Sequence, residues 1–266
     1  MKKYDGFALI TGGSSGIGLA FAHQLAAKGY DLVLVGRKLE KLEAAARAIK
    51  QKYPVFILTI SQDLTMPDAV DAIFDLLKKR KIQVGLLVSN AGSGDFGYFH
   101  EIDHGKTLDM IKVMCLGYAD LIHKFLPPML DRKSGGVILM SSLAALPPGP
   151  LTAVYAACKA FSLQLGISLH AEYGGKGIDI LTVCPGSIDT PFFDNLEDKR
   201  VRLLLDTFKP PEEVAEKALK ALGKDIVVTL PSDLSQRSAY LTPFMPHKLT
   251  EKIMKLMFKH KAKIEL

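Results

Sequence analysis

Tyr155 and Lys159 stand one helical turn apart in the stretch Tyr155-Ala156-Ala157-Cys158-Lys159, and Ser142 precedes the tyrosine by thirteen residues. A phenol is a proton donor whose pKa of about 10 makes it a poor base near neutrality. An ammonium at i+4 shares its helix face. That charge favours the phenolate, and each pKa unit is worth about 1.4 kcal/mol. A serine hydroxyl adds a hydrogen bond to the oxygen that the phenol serves. Together Ser142, Tyr155 and Lys159 can give a proton to a carbonyl oxygen undergoing reduction, or take one from an alcohol undergoing oxidation.

A tyrosine and lysine at this spacing are common in helices that do no chemistry. The pair gains weight from Thr11-Gly12-Gly13-Ser14-Ser15-Gly16-Ile17-Gly18, which follows the apolar run Phe7-Ala8-Leu9-Ile10 and opens a helical pattern from Gly16 to Lys28. Gly12 allows a tight turn, Gly16 lets the backbone approach a pyrophosphate, and Gly18 permits close packing of helix on strand. Ser14, Ser15 and Ile17 complete a helix start whose free N–H groups and dipole suit phosphate. The glycines follow GxxxGxG rather than the more familiar GxGxxG. After the second apolar run the chain reads Gly36-Arg37-Lys38, where a carboxylate would be expected to bond the ribose 2′-OH of NAD. Arg37, supported by Lys38, can instead take a 2′-phosphate. NADP(H) is therefore the expected cofactor, with NAD(H) admitted as the lesser one.

The elements that must hold these groups alternate. Short apolar runs at Phe7–Ile10, Asp31–Val35, Val55–Ile60, Gly85–Ser89, Val137–Met140, Ile178–Val183 and Ile226–Val228 are separated by helical patterns. These run over Gly16–Lys28, Leu39–Lys52, Pro67–Lys79, one long region from His104 to Leu130, and Ala153–Tyr173. Continuous apolar strands between helices predict an α/β fold, with a parallel sheet of about seven strands covered on both faces. The 266 residues fit one domain, with a core over about 6–230 and an extension over about 238–266. The three cysteines, Cys115, Cys158 and Cys184, show no zinc or disulfide spacing, and no metal is expected. A net charge of +6 without a dense basic run or base-reading motif gives no case for nucleic acid. No leader or spanning segment is visible, so the expected location is cytoplasmic.

In these motifs the chain resembles the short-chain dehydrogenase/reductase family over about residues 6–230. The resemblance rests on Thr11 to Gly18, Asp63-Leu64, Asn90-Ala91-Gly92, Ser142, Tyr155 with Lys159, and Pro185-Gly186 through Thr190. It implies a Rossmann-type doubly wound domain and NADP-dependent interconversion of a carbonyl and a secondary alcohol. It further implies that Asp63 with Leu64 meets adenine, and that Asn90-Ala91-Gly92 shapes the sheet edge beside the cofactor. Pro185, Gly186, Ile188 and Thr190 would lie along the nicotinamide, and Lys159 would donate to ribose hydroxyls. A homodimer or homotetramer is also implied. The chain departs from the pattern once. Met114 stands in Val113-Met114-Cys115-Leu116-Gly117 where the family carries an asparagine that holds a relay water behind the lysine. A thioether is a weak acceptor. Three readings stay open: a rerouted relay, reduced activity, or a dinucleotide-binding sensor without turnover.

Three apolar segments lie beyond the carboxyl ends of strands, where ligands bind in such sheets. They are Ser93–Phe99, Leu143–Leu151 and Thr190–Phe193, and they suit a small-molecule carbonyl or alcohol of hydrophobic character. Phe96, Phe99, Phe192 and Phe193 either line that pocket or pack beneath loops or at subunit contacts. Asp189 to Phe208 could form a lid. In the extension, Leu249, Ile253, Leu256, Met257 and Phe258 alternate with Lys248, Lys252, Lys255, Lys259 and Lys261. This predicts a basic amphipathic helix, packed on its own domain or lying on an anionic membrane as a peripheral contact.

Overall fold

The computed structural model describes residues 3–193, 207–232 and 238–262. Seven strands form one parallel sheet in the order β3-β2-β1-β4-β5-β6-β7. They are β1 Phe7–Thr11, β2 Leu32–Gly36, β3 Ile57–Ser61, β4 Val84–Ser89, β5 Gly135–Met140, β6 Ile178–Pro185 and β7 Val227–Leu230. Every residue of β4 and β5 is buried, as the unbroken apolar runs require of strands covered on both faces. One layer is built by α1 Gly16–Ala27, α2 Leu39–Lys50 and α7 Pro211–Ala221, whose Phe21, Leu42 and Val214 pack with Ile10 and Leu34. The other is built by α3 Ala69–Lys79, α5 Gly117–Asp131 and α6 Ala153–Tyr173, whose Ile73, Leu121 and Leu165 pack with Leu9 and Val33. The strand order reverses between β1 and β4, which pair through Ile10 and Val88. The glycine turn and the Asn90-Ala91-Gly92 segment therefore leave the sheet side by side at its switch point.

Three features depart from the sequence expectation. The long helical region is α4 His104–Ile111, a π turn over Lys112–Leu116, and then α5. The wider turn carries Met114 and sets it inward, fully buried. The helix α7 went unread, although Pro211 at its first turn and Glu212 and Glu213 beside it are start signals. The extension forms the expected helix, α8 His247–Ala262, but its apolar residues divide between two faces. Phe258 is 4% exposed and packs with Phe96 and Leu151, whereas Leu249, Ile253 and Leu256 face outward. Most of the expected lid, residues 194–206, lies outside the described residues. Among the described residues no helix is long and apolar enough to cross a membrane.

Gly12 and Gly16 have φ of +68° and +53°, left-handed values that a side chain disfavours. Gly18 is constrained by space, since an added Cβ would run into the Gly12 carbonyl and Asn90 Nδ2. Gly18→Ala should destabilise the protein by about 1–3 kcal/mol despite alanine's better helix propensity. Urea unfolding measures this, and an unchanged or higher midpoint would show that α1 can slide on β1.

Candidate functional site

Lys159 is held in place by the surrounding fold. It lies on the buried face of α6, 5% exposed, and its Nζ donates to the Met140 carbonyl at the end of β5 over 2.9 Å. Its own backbone carbonyl accepts from Ser141 Oγ at 2.7 Å. Further along α6, Gly166 lets the helix settle on Thr182 of β6, where any side chain would collide. The ammonium is thus pinned from both sides in an apolar layer. Burial lowers its pKa to about 8, opposed by the thiols of Cys158, Cys184 and Cys115. All three cysteines of the chain therefore gather around this one amine. Cys158 and Cys184 are buried, and burial raises the Cys184 thiol to about 11. A hydrogen bond from Cys158 lowers the Cys115 thiol.

Tyr155 is half-buried on the same helix, with Lys159 Nζ 5.7 Å from its ring centroid. Burial pushes its phenol up to about 12, against a hydrogen bond with Ser142 that pulls it down. The lowering expected from the lysine is outweighed by desolvation, and the lowering contact is the serine's. Ser142 follows β5 and starts the short 3₁₀ turn Leu143–Ala145. Its Oγ accepts from the Ala144 N–H at 3.1 Å, which directs the hydroxyl proton away from the turn and toward the phenol. Near neutrality the phenol is neutral and the amine charged, so both groups hold protons to give.

The cofactor-side residues converge as expected, with some roles altered. Ser15 caps α1 in extended conformation without a side-chain hydrogen bond to the helix, leaving its first N–H groups open to an anion. Ser14 and Ile17 are partly exposed beside it. Thr190 sits against Gly16, its Cγ2 3.0 Å from where a Cβ would stand. Arg37 and Lys38 are exposed at the end of β2. The Arg37 backbone carbonyl is tied to Ser61 Oγ at 3.0 Å, so the guanidinium projects from a fixed base. Asp63 Oδ1 accepts from Thr65 N and Oγ1 at 3.0 and 2.9 Å, and Leu64 is buried next to it. Asn90 acts as a strut. Its Nδ2 donates to Thr11 O at 2.9 Å, while Asn90 N and Ala91 N both donate to Thr11 Oγ1 at 3.0 Å. Pro185 ends β6, and Gly186 N donates to Leu230 O at 2.9 Å. Ile188 is buried and bridges to Lys209. Gly92 packs against Met114 and Lys159. The glycine cradle, the uncapped helix and the absence of a carboxylate among Gly36, Arg37 and Lys38 fit a phosphorylated dinucleotide.

On the substrate side Phe192 lies 5.5 Å from the Tyr155 ring, followed by Phe193 at 5.4 Å and Phe208 at a further 5.2 Å. Gly94 makes room for Phe192, whose Cζ is 2.5 Å from the place of a Gly94 Cβ. Phe96 stacks on Phe258 of α8 at 6.3 Å, and Leu151 joins them with a φ of +61°, a strained value for leucine. Phe99 is 67% exposed and takes no part. The sequence reading placed Thr11 in the glycine motif without seeing its bonds to Asn90 and Ala91, and it missed Ser141 and the Met140 carbonyl. Ser141 adjoins a motif residue and was open to inference. A backbone carbonyl carries no sequence signal.

The shift of Lys159 has a cost in stability. Between pH 8 and 10.5 the unfolded chain keeps a proton that the folded lysine has lost, so stability rises with pH through that window. Below it the full penalty is present. Lys159→Met should abolish any turnover and stabilise the fold by up to about 3 kcal/mol at pH 7, the gain fading as pH approaches 10. Urea unfolding at both pH values checks this, and a destabilised variant at pH 7 would refute it.

The family model for short chain dehydrogenases matches residues 6–201. A hydroxysteroid dehydrogenase-like protein 1 from Gallus gallus is 34% identical over 227 residues, covering 84% of this chain and 67% of its own. Very-long-chain 3-oxoacyl-CoA reductase of Mus musculus is 33% identical over 223 residues, covering 82% and 68%. A very-long-chain 3-oxoacyl-CoA reductase-like protein of Arabidopsis thaliana is 36% identical over 195 residues, 71% of this chain and 62% of that one. The chain thus spans roughly two thirds of the length of these relatives, 62% in the plant protein. Among solved structures, a 7β-hydroxysteroid dehydrogenase superposes with a TM-score of 0.84 at 26% identity over 95% of this chain and 97% of that one. L-sorbose reductase of Gluconobacter frateurii, complexed with NADPH and L-sorbose, superposes at 0.76 with 27% identity, over 86% and 96%.

Proposed function

The chain belongs to the short-chain dehydrogenase family, and we propose that it is an NADP(H)-dependent oxidoreductase that reduces a bulky, apolar ketone to a secondary alcohol. The observation that carries the reading is the neutral Tyr155 phenol, held by Ser142 beside a buried ammonium and facing a chain of aromatic rings. NADPH, when bound, supplies the hydride to the carbonyl carbon. Gly12, Ser14, Ser15, Gly16, Ile17 and Gly18 would hold its pyrophosphate, and Arg37 with Lys38 its 2′-phosphate. Asp63 and Leu64 would border the adenine. Asn90, Ala91 and Gly92, with Pro185, Gly186, Ile188 and Thr190, would wall the nicotinamide. Lys159 would hold the ribose.

The protein's own part is proton delivery. Ser142 orients the carbonyl oxygen, and Tyr155 gives that oxygen its proton as the alcohol forms. Lys159 keeps a positive charge close to the phenolate left behind, whose formation burial would otherwise oppose. The relatives named for hydroxysteroid and very-long-chain 3-oxoacyl-CoA substrates support an apolar substrate, as do Phe192, Phe193 and Phe96 at the mouth.

NADPH oxidation measured against bulky ketones and 3-oxoacyl thioesters tests this. Tyr155→Phe should lose at least about 100-fold in kcat/KM. Arg37→Ala should raise KM for NADPH about tenfold and leave NADH use nearly unchanged, since only the 2′-phosphate contact is lost. NADPH binding without turnover on any substrate would instead favour a dinucleotide sensor.

A second reading concerns location and partners. The outward face of α8 carries exposed Leu249, Ile253 and Leu256 beside Lys252, Lys255 and Lys259. Lying on an anionic bilayer, that face would set the apolar mouth against the source of a lipid-like substrate. Sedimentation with phosphatidylglycerol vesicles should exceed that with phosphatidylcholine vesicles, and Leu249→Ser with Ile253→Ser should abolish the difference. Equal sedimentation with both would leave α8 as a contact to a second copy in a dimer or tetramer.

A further inference from the structure

Cys115 and Cys158 are far apart in sequence and meet beside the site. Cys115 sits on the π turn Lys112–Leu116 and is partly exposed, whereas Cys158 lies on α6 and is buried. Both belong to one cluster with Met110, Met114, Val154 and Tyr155. Within it the Cys158 thiol donates a hydrogen bond to the Cys115 sulfur. The two sulfurs thus join the π turn to the helix that carries Tyr155 and Lys159.

A free cysteine ordinarily serves as a small apolar residue. That describes Cys184, which is enclosed in β6 and has its thiol bonded to Ser141. The pair differs in three respects. Its thiols contact each other, one of them reaches the surface, and an ammonium stands close by. The Cys158 hydrogen bond lowers the Cys115 thiol, partial burial opposes that, and the Lys159 charge lowers it further. The same hydrogen bond and burial raise the Cys158 thiol, which keeps its proton. Cys115 is therefore the nucleophile of the two, and Cys158 is placed to follow it. A reactive thiol beside a resolving one is the arrangement that oxidation selects.

We propose that Cys115 and Cys158 form a peroxide-reactive pair that closes to a disulfide and, resting here on the reductase reading above, switches the site off. The oxidant is hydrogen peroxide. Cys115 loses its proton to solvent, and its sulfur attacks one peroxide oxygen. The O–O bond breaks, hydroxide leaves and takes up a proton as water, and Cys115 becomes a sulfenic acid. The Cys158 sulfur then attacks the Cys115 sulfur. The S–S bond forms, the S–O bond breaks, and the departing hydroxide takes the Cys158 proton as a second water. Two thiols and one peroxide give one disulfide and two waters, so the sulfurs lose the two electrons that the peroxide gains. A disulfide holds its sulfurs about 2 Å apart, closer than a hydrogen bond between thiols does. Closing it draws the π turn and α6 together. The residues adjoining the two sulfurs are Met114, which packs against Gly92, and Lys159, whose Nζ is bonded to the Met140 carbonyl. The movement therefore falls on the lysine.

Hydrogen peroxide applied to the full chain, followed by blocking of free thiols, intact mass and peptide mapping, tests the pair without a substrate. The expected product is a single chain lighter by two hydrogens before blocking, with Cys115 joined to Cys158 and Cys184 still free. Cys158→Ser should stop at a Cys115 sulfenic acid that dimedone traps, and Cys115→Ser should stay fully reduced. In the NADPH assay the bridged protein should lose turnover on the order of 100-fold, as a displacement of about 1 Å at a reacting group costs. Dithiothreitol should restore it, and Cys115→Ser should keep its turnover through the same treatment. Free thiols throughout after peroxide, a bridge between two chains, or Cys115 oxidised past the sulfenic acid with Cys158 still free would overturn the pair. A bridge that leaves turnover unchanged would overturn the switch. A bridge that forms in protein inactive on every ketone in both redox states would count against the reductase reading and leave the pair standing.

Discussion

An ammonium placed among apolar side chains and thiols governs the rest of this site. Water would solvate Lys159 better than the protein does, as its depressed pKa shows. The amine stays where it is because several contacts over-determine it. Its carbonyl is tied to Ser141, its Nζ to Met140, and its helix is seated on β6 by Gly166. The Met140 and Ser141 contacts belong to the carboxyl end of the sheet, and the Gly166 contact to the middle of β6. The parallel strand order therefore delivers the glycine turn, the serine and the lysine to one edge, and it makes the lysine's discomfort affordable.

The second consequence is a division of labour around the phenol. Burial raises Tyr155, and a distant cation across an aromatic face does little to reverse it in the resting protein. Ser142 makes the direct hydrogen bond, and its own geometry is fixed by the Ala144 N–H. In the proposed reaction the ammonium would matter most once the phenol has lost its proton. Charge that develops only during reaction is met by a charge already in place, and such preorganisation needs no rearrangement at the critical moment. A buried lysine near a half-buried phenol is costly at rest and would be useful in the proposed reaction for the same reason.

The apolar runs and glycine spacing were enough to read the sheet, its parallel sense and the position of the turn, since burial on both faces and close backbone approach restrict residue type. The extent of Ala153–Tyr173 was read to the residue. The π turn at Lys112–Leu116 was not, because Val113 to Leu116 satisfy α and π periodicity alike over so short a span. The two faces of α8 share one helical pattern, and the sequence could not say which would meet Phe96. Asn90 shows a subtler limit. The motif marked its position correctly, yet its side chain braces β1 against β4 through Thr11.

The parts of the site differ in what they can discriminate. On the proposed reading, sheet-end groups such as Ser142, Tyr155 and Lys159 would act on any carbonyl oxygen presented to them, and their contacts are internal to the core. Beside them an apolar cluster is assembled from segments far apart in sequence: Phe96 after β4, Leu151 before α6, Phe192 and Phe193 after β6, and Phe258 from the extension. A helix that follows the last strand thus completes this apolar cluster. Leu151 keeps its strained backbone where Phe96 and Phe258 pack upon it. Because α8 supplies Phe258, Met254 and Met257 to this cluster, residues beyond 230 take part in packing the segments that follow β4 and β6.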